Sequence, residues 1–362
     1  MTLFSGPFGT GPLSLQGGKI YSSSTNARSI YNAIDIAGDF TIGDTAATSN
    51  GEMNVSTNVT GATTTVSSNS TITVLSPTDW YQSISSGSGK ILSKNGASYL
   101  RLRGTNQIDS LQVLGGGLYL QNSNNLSSVI VGDTGILGWG YSNIVGPCNY
   151  LGNATLVLSN GATLGQYGSC GASNDVVDRT LANNLRIQGD VTLGLGTYSS
   201  YLAGGVNLTG GNRTLALSNS TFCTGPISDG TLELASSSAT RFLVLAASNN
   251  FTGPLTLKGG ILVLSNANAL QGVSQIVFNG NTTNGGTLGL TPANTNDYSS
   301  LFNSGDLQNY RIDTGGANSA LGTALGSTNG SFYKSGLGTL TLPVANLFQG
   351  GGNLGRRASG SR

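Results

Sequence analysis

The sequence predicts an all-β fold, a right-handed parallel β-helix in which short strands wind into stacked turns. Three observations predict it: residue content, self-similarity along the chain, and apolar residues that alternate with a period of two. Of 362 residues only 9% are charged, against about 25% in an ordinary globular protein, while glycine alone contributes 56. Asn, Ser, Thr and Gly disfavour helix interiors, yet Val, Ile and Leu recur throughout, which separates the chain from both a helical bundle and a disordered segment.

The self-similarity is direct. Residues 111 to 126, LQVLGGGLYLQNSNNL, align without a gap on 255 to 270, LTLKGGILVLSNANAL, with 8 of 16 positions identical. Residues 28 to 43, RSIYNAIDIAGDFTIG, align on 179 to 194, RTLANNLRIQGDVTLG, with 7 of 16 identical. Lys94, Gly96, Leu100, Leu102 and Asn106 fall in step with Lys334, Gly336, Leu340, Leu342 and Asn346, and Phe-x-Gly steps recur at Phe4, Phe251 and Phe348. Self-similarity of this kind marks a repeat architecture in which no single unit can bury its apolar face alone.

Taken in order, copies or half-copies occupy 3 to 43, 84 to 126 and 179 to 290, with a final half-copy at 332 to 350. Within each the apolar residues alternate, as in Leu255 and Leu257, then Leu262 and Leu264 after Gly259-Gly260, the side-chain period of a strand. Strands of three to six residues are expected, with GG and SNAN words at the corners, because Gly and Asn tolerate positive φ. A rung of roughly 20 to 25 residues matches the repeat spacing of solenoids. Low charge fits as well, since like charges stacked at about 4.8 Å would repel. A β-sandwich would show wider turn spacing and a more aromatic core. Residues 1–350 are thus expected to form one β-helix repeat domain that opens in mid-repeat at Leu3-Phe4 and stops at the equivalent Leu347-Phe348. The end, QGGGNLGRRASGSR, abandons alternation, and 351–362 are expected to be a disordered basic tail.

Several functions are excluded by content. With no histidine there is no Ser-His-Asp or Cys-His relay and no imidazole metal ligand. A net charge of +1, with basic residues grouped only at Arg101 and Arg103 and at Arg356, Arg357 and Arg362, supplies no surface for nucleic acid or an anionic membrane. No run of 18 apolar residues crosses a bilayer as a helix. The opening MTLFSGPFGTGPLSLQGG has no basic segment followed by an apolar one, so no signal peptide is visible.

The words FTGPLTLKGGILVLSNANAL (251 to 270), KSGLGTLTL (334 to 342) and RTLANNLRIQGDVTLG (179 to 194) resemble the autotransporter-associated β-strand repeat, also called the passenger-associated transport repeat. The resemblance implies a fragment of a large secreted or cell-surface bacterial protein whose passenger is a right-handed parallel β-helix. The C-terminal membrane barrel of such a protein is absent from this chain, and the family supplies no catalytic residues. An extracellular structural or adhesive role follows, adhesin-like and without enzymatic activity, with surface glycans or self-association through open solenoid ends as partners. No catalytic, cofactor-binding or metal-binding residue is assigned and no cofactor is expected. The alternative is a carbohydrate-active β-helix, a polysaccharide lyase or a glycan-binding module.

The residues that invite a site each have a plainer reading. Asp35, Asp39 and Asp44, with Asp175 and Asp178 before the matching repeat, lack the recurrent spacing of calcium-binding nonapeptides, and the aligned Asp39 and Asp190 are expected to make Asx turns with their own backbone. Glycan cleavage needs two carboxylates held together, and 15 acids spread over some fifteen rungs leave about one per rung. Thr63 to Thr65, Thr71 and Thr73 lack the constant interval of an ice-binding ladder. Tyr141, Tyr150 and Tyr167 around Trp139 form the densest aromatic group, suited to a core or to a sugar-stacking groove. Cys148 and Cys170 lie 22 residues apart, close enough to one rung for a disulfide, leaving Cys223 unpaired; three free thiols is the other reading.

Overall fold

The structure, a computed structural model, describes residues 8–46, 50–57, 61–140, 149–168, 180–280, 285–348 and 350–354. The described residues form parallel strands stacked as a β-solenoid of about 14 turns, with no α-helix and one 3-10 turn at Ser299–Leu301. The chain divides into two compact units, Met1–Leu185 with Leu195–Tyr198, and Arg186–Gly194 with Ser199–Arg362.

At the start of the first unit successive turns contribute three short strands each, and the strands stack in three rows. Leu13–Leu15, Ile34–Ile36, Thr64–Val66 and Ile84–Ser86 form the first row. Lys19–Ile20, Phe40–Ile42, Ser70–Val74 and Ile91–Asn95 form the second. The third contains Arg28–Ile30, Met53–Val55, Thr78–Trp80 and Leu100–Leu102. Along the first row Leu13 faces Ile34, Ile34 faces Thr64 and Thr64 faces Ile84, so partners are 21, 30 and 20 residues apart.

Because strands pair in register, like positions form columns. Phe40, Ile72, Lys94, Val113, Val131 and Leu158 make one inward column, and Ile30, Val55, Trp80, Leu102, Leu120 and Trp139 another. All but Lys94 are apolar and every member is buried. Burial of such columns, at about 25 cal/mol per Å² of apolar surface, drives the stacking. The indole of Trp80 donates to Thr64 Oγ1 at 3.0 Å, and Thr64 in turn meets Gln82 Oε1 at 2.9 Å. Gln82 Nε2 donates to the carbonyls of Asn32 and Ser56 at 2.8 and 3.0 Å, so the buried polar chain is paired.

The second unit repeats the plan. Ser200–Leu202, Thr221–Cys223, Phe242–Leu245, Ile261–Leu264 and Thr287–Gly289 stack in one row, and Asn309–Asp313 and Ser331–Ser335 continue it. A second row holds Val191–Leu193, Val206–Leu217, Ile227–Ala235, Gly253–Leu257 and Val273–Phe278. Its core turns aromatic toward the C-terminal side, where Phe278 packs edge-on against Phe302 and Tyr310.

Two expectations need correction. Strands are not confined to three to six residues: Gln107–Leu120 has 14 and Asn125–Trp139 has 15. Their pairing carries through the corner with one register shift between Val113 and Gly115, so ladder hydrogen bonds join what the glycine words appeared to divide. The tail is also ordered further than expected, since Gly352–Leu354 pairs with Phe332–Lys334. The edge left by Ser331–Ser335 offers backbone groups to this segment, and the Phe332 amide donates to the Gly351 carbonyl at 3.2 Å. Residues 355–362, with Arg356, Arg357 and Arg362, lie outside the described residues.

Candidate functional site

The residues shared by the aligned repeats do the same work in each copy. Asn32 Nδ2 donates to the carbonyls of Gly9 and Gly11 at 3.3 and 2.6 Å, and the aligned Asn183 donates to Gly152 and Ala154 at 3.0 and 2.8 Å. Asn106 donates to its own i−2 carbonyl, Gly104, and accepts from the Ile84 amide 22 residues earlier. Asn346 does likewise with Val344 and with Leu325, 21 residues earlier. Each amide holds a corner closed and ties it to the turn beneath.

Lys94 sits in the apolar column with 1% of its surface exposed. Its ammonium donates to the carbonyls of Gly96, Ser98 and Gly115 at 2.7, 2.5 and 2.6 Å, which uses all three protons. The aligned Lys334 donates to Gly336 at 2.7 Å. Gly96 and Gly336 have φ of +86° and +80°, a conformation that turns the carbonyl toward the ammonium and that a side chain would strain. Burial pushes the Lys94 ammonium down to about 8.

Asp39 and Asp190 each tie their own turn to another one. Asp39 accepts the Thr71 amide at 2.7 Å and Asp190 the Thr214 amide at 2.8 Å, 32 and 24 residues along the chain. Asp35 meets Thr65 Oγ1 at 3.2 Å and Asp44 pairs with Lys19 at 3.0 Å, so the three N-terminal aspartates diverge to separate partners. The Lys19 partner holds the Asp44 carboxyl below its ordinary value. Asp175 and Asp178 lie outside the described residues.

The aromatic group predicted around Trp139 is split by the fold. Trp139 and Tyr150 are buried, whereas Tyr167 stacks on Tyr119 with ring centroids 3.8 Å apart. Tyr141 lies outside the described residues, as do Cys148 and Cys170. Cys223 lies inward between Leu202 and Leu245, and burial pushes its thiol up to about 12. Of the threonines, Thr64 is interior, while Thr71 faces Ser93, which faces Gln112, so no threonine row forms there.

A cluster that the sequence reading did not assemble lies on the outer side of the third row in the first unit. There Ser29, Asn54, Asp79, Arg101, Tyr119 and Gly138 follow one another on successive turns. Arg101 Nε binds Asp79 Oδ1, Arg103 Nη2 binds Asp79 Oδ2 at 2.8 Å, and Glu52 lies 3.6 Å from Arg101 Nη2. The Asp79 side chain, on an outward column, is only 2% exposed because the two guanidiniums lie against it. Arg101 stands 4.7 Å from the Tyr99 ring centroid and Arg103 5.0 Å from that of Tyr81. Burial opposes the charge of Arg101, but the Asp79 hydrogen bond and charge outweigh it and raise its pKa. Partial burial also raises Tyr81, Tyr99 and Tyr119.

Gly138 explains the tyrosine pair. Tyr119 and Tyr167 come from either side of the turn that carries Gly138, and a Cβ there would lie 2.6 Å from Tyr119 Cδ1 and 3.0 Å from Tyr167 Cβ. The missing side chain is the space the rings fill. Chemically, the cluster presents fixed guanidinium and phenol donors beside aromatic faces. The two carboxylates that meet here do so through Arg101, and both oxygens of Asp79 are engaged. The sequence signal was Arg101 with Arg103 at the alternate spacing of one strand face; Tyr99 falls in the same alternation, while Tyr81 and Tyr119 come from the neighbouring turns.

The architecture defines a class, the parallel β-solenoid, for each unit. No protein-family model, no curated protein and no solved structure matches the chain.

Proposed function

We propose that the chain is a structural and adhesive segment of an extracellular or cell-surface β-helix, of the kind built from autotransporter-associated repeats in bacterial passengers, with no catalysis of its own. One observation supports the reading. The polar residues that recur between repeats, Asn32 with Asn183, Lys94 with Lys334, Asp39 with Asp190, and Asn106 with Asn346, share hydrogen bonds within or between turns, the lysines sharing only the bond to the glycine two residues on. What the repeats copy is therefore a means of stacking. Stability then accumulates by neighbour contacts, and length and stiffness are the product.

Protease treatment of intact producing cells tests the location. Digestion without lysis is the expected result, and protection until lysis would overturn it. Incubation with plant and bacterial polysaccharides tests the absence of catalysis. Product release that a single carboxylate substitution abolishes would place the chain among glycan-cleaving enzymes.

A further inference from the structure

We propose that the outer strip formed by Tyr81, Tyr99, Arg101, Arg103 and Tyr119 is a carbohydrate-binding surface that takes an uncharged polysaccharide lying along the stack of turns. The inference deepens the adhesive reading and rests on it, supplying the ligand class and the residues.

Composition is the first support. The chain holds 13 tyrosines and 16 basic residues in 362, yet four tyrosines, counting Tyr167, and two arginines gather on neighbouring turns of one outer face. Tyr81 is 39% exposed, a large ring kept at the surface beside two arginines. Tyrosine is suited to binding because it offers large contact area at low entropic cost, and its face packs on the C–H faces of a pyranose.

Charge selects the polymer. Arg101 and Arg103 are matched by Glu52 and Asp79, so the strip carries no net charge and has no attraction for a polyanion. The guanidiniums nevertheless keep donors in hand. Arg103 bonds the protein through Nη2 alone, and its buried Nε has no acceptor, while Arg101 uses Nε and Nη2. Arginine carries five N–H groups in a fixed fork, so Nη1 of each can meet sugar hydroxyls without breaking the Asp79 pairs. The spacing matches too: neighbouring turns lie about 4.8 Å apart, close to the advance of one pyranose along a polymer.

Affinity gel electrophoresis of the whole chain tests the proposal, with hydroxyethylcellulose, galactomannan and a soluble β-1,3-glucan in the gel and polygalacturonate as the acidic comparator. At least one neutral polymer should retard the chain. The pair Tyr81→Ala and Tyr99→Ala should weaken that retardation at least about tenfold, a loss of about 1.4 kcal/mol, while keeping the wild-type circular dichroism. Tyr21→Ala, which removes an exposed tyrosine away from the strip, should leave it unchanged. Three results would overturn the proposal: no retardation by any neutral polymer, retardation by polygalacturonate alone that salt abolishes, or equal loss in Tyr21→Ala. None of these bears on the protease test of surface location, so the two readings fail separately.

Discussion

Replacing Lys94 by methionine removes a buried charge set between Ile72 and Val113 in an apolar column. Burial brings the ammonium down to about 8 from an ordinary value of 10.5. Between those two pH values the unfolded chain binds a proton that the folded chain does not, so stability must rise with pH across that window. A displacement of about 2.5 units at about 1.36 kcal/mol each gives a gain of about 3 kcal/mol from pH 8 to pH 10.5. In Lys94→Met this gain disappears, and the carbonyls of Gly96, Ser98 and Gly115 lose their donor. The tyrosines raised by burial act in the opposite sense above pH 10, but they are present in both proteins and cancel in the comparison. The assay is urea unfolding followed by tryptophan fluorescence. The chain has two tryptophans, Trp80 and Trp139, both buried in the unit that contains Lys94. Wild-type stability minus that of Lys94→Met should widen by about 3 kcal/mol between pH 8 and 10.5. Parallel curves across that range would refute the reasoning, and would mean that the three carbonyls hold the proton against burial.

Three further outcomes are expected. Asp39→Ala should leave the Thr71 amide without its acceptor and cost about 1–3 kcal/mol, read as faster hydrogen exchange at Thr71; Asp190→Ala should do the same at Thr214. Gly138→Ala should drive Tyr119 and Tyr167 apart at a cost of about 1–3 kcal/mol, with loss of near-ultraviolet tyrosine dichroism and no change in strand content. Cys223, buried and with its thiol pushed up to about 12, should stay unmodified by iodoacetamide at pH 8 until urea unfolds the chain, as peptide mass spectrometry would show.

The sequence by itself determined the all-β class and the repeat, because both are local: alternation in Leu255-Thr256-Leu257 and glycine words at corners can be read along the chain. It also paired Lys94 with Lys334 and Asp39 with Asp190 correctly. Their partners were decided only by the tertiary structure, since the next turn lies 20 to 30 residues away and the distance varies from turn to turn. Stacking of the turns is what brings the Thr71 amide to Asp39. It is also why the tyrosines near Trp139 separate into core and surface. The outer cluster around Asp79 is the clearest case. Its members span Glu52 to Tyr119, and no spacing rule joins them, because only the register of stacked strands brings Asp79, Arg101 and Tyr119 into one column.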